Sequence, residues 1–204
     1  MTPVPKIRRI AVALSGASGA AYGRRLLEEL TTREGIETHL LISPSAKKVL
    51  AIEEGLHVDL DRFDSAQLGL ASPANLVYHH YDNVAAAVAS GSFQIEAMAI
   101  VPCSMGCVAA IAHGMSDNLI ERAADVMIKE RRRLIVVPRE TPFSTIHLKN
   151  MLTLSELGAI VLPASPGFYS KPTSVADMVD FVVARILDHL QIEHDLTRRW
   201  GGGK

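Results

Sequence analysis

The sequence is poor in the features that mark secreted, membrane-spanning or nucleic-acid-binding chains. Its 204 residues include two cysteines, Cys103 and Cys107. That is too few for a disulfide framework, so a reducing cytoplasm is the expected compartment. Neither sign of charge dominates: 21 Lys and Arg stand against 22 Asp and Glu, which excludes the basic footprint of a general nucleic-acid binder. No uncharged run approaches the ~20 residues of a membrane span. The start imitates a signal peptide, with Lys6, Arg8 and Arg9 before an apolar stretch. Ile10 to Leu14 is nevertheless shorter than the ~7–15 residues such a leader requires. There is no G-x-S-x-G elbow, no G-x-x-x-x-G-K-[ST] loop, no internal repeat and no low-complexity linker.

What is present suits one folded domain. Hydrophobic residues make up 48% and charged residues 21%, enough to bury a full core. At roughly 150 residues per domain, the length predicts a single domain, over 1–190, and the composition of 191–204, with Arg198, Arg199, the only tryptophan, Trp200, and three glycines, reads as a C-terminal arm.

Short apolar runs alternate with helical patterns. Strands are expected at Arg8–Leu14, Ile36–Ile42, Leu76–Tyr81, Ile95–Pro102, Leu134–Pro138 and Ala159–Pro163. Most are continuously apolar, as in strands covered on both faces. Helices are expected at Gly19–Leu30, Ala46–Glu54, Cys107–His113, Asn118–Lys129, Ile146–Leu157 and Ser174–Leu190, the last with Ser174 as its N-cap. This alternation predicts an α/β fold: a doubly wound parallel sheet in three layers, Rossmann-like or flavodoxin-like. The stretch from Gly55 to Asn75 gives no clear signal.

In such sheets ligands sit beyond the carboxyl ends of the strands. There the sequence places Ser15-Gly16-Ala17-Ser18-Gly19, Ser43-Pro44-Ser45, Cys103-Ser104-Met105-Gly106-Cys107, Arg139-Glu140-Thr141-Pro142 and Ala164-Ser165-Pro166-Gly167-Phe168-Tyr169. Small residues and hydroxyls admit a ligand close to the main chain, and helix N-termini favour phosphate. The first loop reads G-x-x-G-x-x-x-G rather than G-x-G-x-x-G, and the second strand ends in Ser43 where a dinucleotide site needs an acid. A mononucleotide such as FMN fits better than NAD(P).

Several charges admit two readings. Asn118, Arg122, Asp125 and Lys129 share one helical face. They are either a solvated face with an Asp125–Lys129 pair, or cations over a phosphate monoester. Arg131-Arg132-Arg133 reads as a charged approach to the fifth strand. Arg139 and Glu140 follow a buried strand directly, where a cation can face phosphate and a carboxylate can move protons. Glu53 reads on pattern as a surface acid. Arg185, within an apolar helical run, either snorkels or pairs with an anion. Cys103, Cys107 and His113 are too few for structural zinc. Cys103 at a helix start could be a low-pKa nucleophile, though no base is recognisable beside it. His79-His80 reads mainly as packing.

Together these stretches resemble the UbiX-type flavin prenyltransferases. The resemblance rests on Ser15–Ala20, Ala89–Ser92, Pro102–Met105, Asp117–Val126, Val137–Ser144, His147–Met151 and Pro163–Tyr169. It implies an enzyme that joins a dimethylallyl group, supplied as the monophosphate, to N5 and C6 of reduced FMN, with no metal. The prenylated FMN would serve a UbiD-type decarboxylase. Gly16, Ala17 and Ser18 would contact the flavin, with Ser18 near N5. Ser43, Ser104, Met105, Gly106, Cys107 and Arg139 would complete the FMN site. Arg122, Lys129, Tyr169 and Arg185 would hold the prenyl phosphate, with Ser90 and Gly91 along the prenyl chain. Glu53 and Glu140 would be the catalytic carboxylates, supported by Ser18, Arg122 and Lys129. Relatives form homo-oligomers, usually dodecamers, with sites at subunit contacts. The expectation is that one rim gathers flavin and phosphate side by side. Two rivals remain: a flavin-dependent cysteine-type decarboxylase, whose Pro-x-Met-Asn motif is here Pro102-Cys103-Ser104-Met105-Gly106, and a non-catalytic FMN carrier for a decarboxylase.

Overall fold

A computed structural model describes residues 7–71 and 73–197. Six strands form one sheet: β1 (Arg8–Leu14), β2 (Ile36–Ile42), β3 (Leu76–His79), β4 (Ala97–Cys103), β5 (Arg133–Pro138) and β6 (Ile160–Val161). All pair in parallel, in the order β3-β2-β1-β4-β5-β6. The chain leaves β1 toward one edge and returns through β3 to the other, so β1 and β4 flank the topological switch point.

Alternation along the strands divides the core. Ile10, Val12 and Leu14 face α1 (Ala20–Thr31), α2 (Pro44–Glu54) and α6 (Val175–Leu190). Ala11 and Ala13 face α3 (Met105–Ala112), α4 (Leu119–Lys129) and α5 (Thr145–Glu156). With both faces covered, β4 is buried throughout, which is why its polarity does not alternate.

Element ends move where caps and prolines decide them. Ser43 accepts from Ala46 N at 3.0 Å and Pro44 fills the first turn, so α2 starts two residues before the expected Ala46. Ser104 accepts from Cys107 N at 3.3 Å and starts α3 at Met105. Ser144 and His147 form a capping box that opens α5 at Thr145. β6 shrinks from the expected Ala159–Pro163 to two residues. Its pairing with the β5 end continues only as Leu162 N to Val136 O and Ala164 N to Pro138 O, because Pro138, which stands where the return bond to Leu162 O would start, has no N–H to give. Residues 55–71 and 73–75 form loops and one short 3-10 turn, Ser65–Leu68, held by Val58, Leu68 and Leu70 in the core.

The described part of the expected arm, residues 191–197, lies against the domain. Ile192 is buried, and Leu196 packs on the core. The His194 ring is within 3.2 Å of Asp188. Arg199 and Trp200 lie outside the described residues. Among the described residues, no helix is long and apolar enough to cross a membrane, and no group of side chains could hold a metal ion.

Candidate active site at the switch point

The loops after β1 and β4 are tied together by Ser15, which is almost fully buried. Its hydroxyl donates to Pro102 O at 3.0 Å and accepts from Ser104 N at 2.7 Å, while its own N–H reaches Pro102 O at 3.2 Å. The floor between these loops is made of small residues for steric reasons. A β-carbon on Gly16 would collide with Ser45 at the start of α2, and one on Gly23 with Leu14 and the Val101 carbonyl. Gly19 has φ 112°, a conformation that L side chains rarely adopt.

Gly19 offers α1 no side-chain cap, and Glu53 supplies one from α2. Its Oε2 accepts from Gly19 N and Ala20 N, each at 2.9 Å. Burial pushes the Glu53 carboxyl upward, but hydrogen bonds from Ser18, Gly19 and Ala20 and the Arg139 charge outweigh it, so its pKa lies below the usual range. Arg139 completes the group, its Nε donating to Ser18 O at 3.3 Å. Among the described residues that is its one hydrogen bond, so its terminal nitrogens can receive an anion. Glu140 is exposed beside it and accepts from Thr141 N at 2.9 Å.

This donor set suits FMN. Gly16, half-buried Ser18, the capped start of α3 and exposed Gly106 offer amides and hydroxyls, and Arg139 offers one cation for one phosphate. Two members contribute less than expected. The side chain of Met105 is sunk in the core, leaving its main chain. The Ser43 hydroxyl is buried and already caps α2. Cys103 is fully buried, and its thiol pKa is raised well above normal by its hydrogen bond with Cys107 and by burial. It is not the nucleophile the sequence left open.

The expected phosphate group is divided among three places. Lys129 ends α4, and its ammonium pairs with Glu130 at 2.8 Å beside Gly91. Gly91 precedes β4, and Lys129 precedes β5, so both lie at the amino edge of the sheet. Seven-residue strands put that edge roughly 20 Å from the switch-point crevice. Arg122 lies up the same helix and pairs with Asp125 at 3.1 Å. The expected Asp125–Lys129 pair is therefore replaced by Arg122–Asp125 and Lys129–Glu130. Arg185 belongs to the opposite helical layer and bonds Asp188 at 2.7 Å, which settles the choice between snorkelling and pairing. It lines a groove of about 280 Å³ with Leu162, Ser165 and Phe181 along the β6 edge. The exposed Tyr169 ring meets Phe181 edge-on at 5.7 Å. One chain therefore does not bring flavin and phosphate groups to a single rim. The strands that would align them also hold them apart.

Arg132 escaped the sequence reading. It is more than a charged approach to β5, since its guanidinium bonds Phe93 O at 2.8 Å and also Gly91 O. Ser15 was read as a loop residue without its tie to the β4 loop, and Glu130 was also missed. Their roles depend on contacts 89 and 39 positions away in sequence, which no local pattern reports.

The crevice and its layers are those of a flavoprotein, and the Flavoprotein family model matches residues 3–187. A flavin prenyltransferase UbiX from Pseudomonas aeruginosa is 52% identical over 198 residues, covering 95% of this chain and 94% of that protein. Two solved structures superpose with TM-score 0.85 at 42% identity. One is a dodecameric FMN-dependent UbiX-like decarboxylase from Escherichia coli O157:H7, covering 95% of this chain and all of that one. The other is AnUbiX (PadA1) in complex with FMN and dimethylallyl pyrophosphate, covering 98% of this chain and all of that one. The peptidyl-cysteine decarboxylase EpiD is 17% identical, with TM-score 0.57 over 90% of this chain and 98% of that one, and shares the fold alone. The chain belongs to the UbiX flavin prenyltransferase family.

Proposed function

We propose that this chain transfers a dimethylallyl group from its monophosphate to N5 and C6 of reduced FMN, making prenylated FMN for a UbiD-type decarboxylase. The observation that carries this reading is the Ser18–Glu53–Arg139 constellation at the switch point, in a chain whose relatives carry that activity in their names. Bound reduced FMN would supply an electron-rich ring as the nucleophile. The residues of this chain position that ring, draw the phosphate away from the allyl carbon and remove the proton.

Gly16, Ala17, Ser18 and the Ser104–Cys107 turn hold the ring and ribityl phosphate, with Arg139 on the anion. Glu53 fixes the pose of Ser18 beside N5, because its carboxylate already receives three hydrogen bonds from that loop. Glu140 has fewer partners and more exposure, so it accepts the proton released when the ring closes at C6. Breaking the allylic C–O bond builds charge on the departing phosphate. Arg122, Lys129, Tyr169 and Arg185 stabilise that charge, with Ser90 and Gly91 along the prenyl chain. Because one chain separates these groups, the site is completed between copies of a homo-oligomer, a dodecamer as in the Escherichia coli relative. Two free cysteines suit a cytoplasmic location.

The test is anaerobic incubation with reduced FMN and dimethylallyl monophosphate, followed by mass analysis of the extracted flavin. A gain of one prenyl group supports the reading. An unchanged mass, with the pyrophosphate also tried, refutes it.

A further inference from the structure

The amino edge of the sheet carries a brace that none of the roles above uses. Before β4 the chain turns at residues 90–93, with Phe93 N donating to Ser90 O at 3.2 Å. The Ser90 and Ser92 hydroxyls lie 2.8 Å apart. Arg132 reaches this turn from the residue before β5. One terminal nitrogen donates to Phe93 O at 2.8 Å and the other to Gly91 O. The Phe93 ring is held in turn. The Arg9 guanidinium lies 5.0 Å from its centre, and the His39 ring meets it edge-on at 5.3 Å. Arg9 itself is fixed by Glu37 at 2.8 Å.

The other side of the turn carries the chemistry. A β-carbon on Gly91 would collide with the Glu130 carboxylate and stand 3.2 Å from Lys129 Nζ. The Glu130 carboxylate and the ammonium it pairs with therefore occupy the space beside Gly91 that a side chain there would need, next to the main chain that Arg132 holds.

We infer that Arg132 is a positioning residue that fixes the Ser90–Ser92 turn and, through Gly91, the pose of the Lys129 ammonium that receives an alkyl phosphate. This rests on the reading that Lys129, Ser90 and Gly91 take the prenyl phosphate. The planar guanidinium gives each carbonyl its own terminal nitrogen in a fixed fork, whereas a lysine offers one nitrogen on a flexible stem and holds the spacing of the two carbonyls less firmly. A wall set before substrate arrives need not reorganise as phosphate departs.

The test is steady-state kinetics of Arg132→Ala, Arg132→Lys and Gly91→Ala, varying dimethylallyl monophosphate at saturating reduced FMN. FMN affinity and melting temperature are measured in parallel. Losing two hydrogen bonds from a charged donor should raise KM for the prenyl phosphate about tenfold or more in Arg132→Ala, with FMN affinity unchanged. Arg132→Lys should fall between that variant and the wild type. Gly91→Ala should move the same KM without lowering the melting temperature, because the atoms in its way end flexible side chains. A wild-type KM in Arg132→Ala overturns the inference. So does a loss of kcat that follows FMN affinity and melting temperature while KM for the phosphate stays fixed. Should Arg132→Ala fail to fold, unchanged KM in the other two variants overturns it. A wild-type protein that leaves flavin mass unchanged instead defeats the functional reading beneath it.

Discussion

The two edges of the sheet differ in where they leave their charges, although both are braced across long stretches of sequence. At the carboxyl edge, loops far apart in sequence are bound to one another through buried groups: Ser15 to Pro102 and Ser104, and Glu53 to the start of α1. At the amino edge, Lys129 and Glu130 are exposed and pair across neighbouring positions. The first edge is knit together by contacts within one chain. The second presents charge outward, toward whatever docks there. A molecule that must hold a flat ring firmly and release a phosphate can divide those tasks between a buried cradle and a wet, charged wall.

The sharpest way to break this comparison is subunit mixing. Arg139→Ala and Lys129→Met should each be nearly inactive alone. If the two edges meet between copies, refolding the variants together should restore turnover well above either parent, read as prenylated flavin formed per subunit. No recovery would mean that each chain completes its own site. Next in size, Glu140→Gln should retain FMN and lose about a hundredfold or more in turnover, as for removal of a general base. A carrier would keep delivering flavin, so this variant also separates the two classes.

Ser15→Ala probes the cradle. It leaves the Ser104 N–H without its partner in a mostly buried place, which should cost about 1–3 kcal/mol in denaturant unfolding and weaken FMN binding. The same substitution should leave KM for the prenyl phosphate unmoved at saturating FMN. Equal effects on both substrates would erase the distinction between the edges.

The smallest effects are those of pH. The folded pKa of Glu53 lies below its unfolded value, so its contribution is present above the unfolded pKa and lost as pH falls through the folded one. FMN affinity should weaken over that acidic range, and Glu53→Gln should flatten the profile. His79 is pushed down to about 4, first by burial and then by neighbouring His39. Between about 6.5 and about 4 the unfolded chain holds a proton there that the folded chain refuses. Stability should therefore fall with acidification across that window, and His79→Gln should remove part of the slope in pH-dependent melting.

Much of this was legible without coordinates. β1 and β2 begin and end where the apolar runs do, because strands buried on both faces leave no ambiguity of period. The glycine and serine loops after the strands were expected along one edge, and the parallel sheet gathers them there, with Ser15 tying the β1 and β4 loops together. Glu53 was less transparent: its spacing on α2 reads as a surface acid, and its duty as the cap of α1 depends on contacts 33 and 34 positions back in sequence. Arg132 was misread for the same reason, since a run of three arginines reports charge and not reach.

The order of residues thus determined the layers, the strands and the chemical character of each loop, because periodicity and side-chain size act locally. Only the tertiary structure decided which loops share an edge. Parallel strands carry every loop that follows a strand to one end and every turn that precedes one to the other. Residues proposed for one chemical task stand about the length of a strand apart, and the proposed function reunites them through a second copy of the chain.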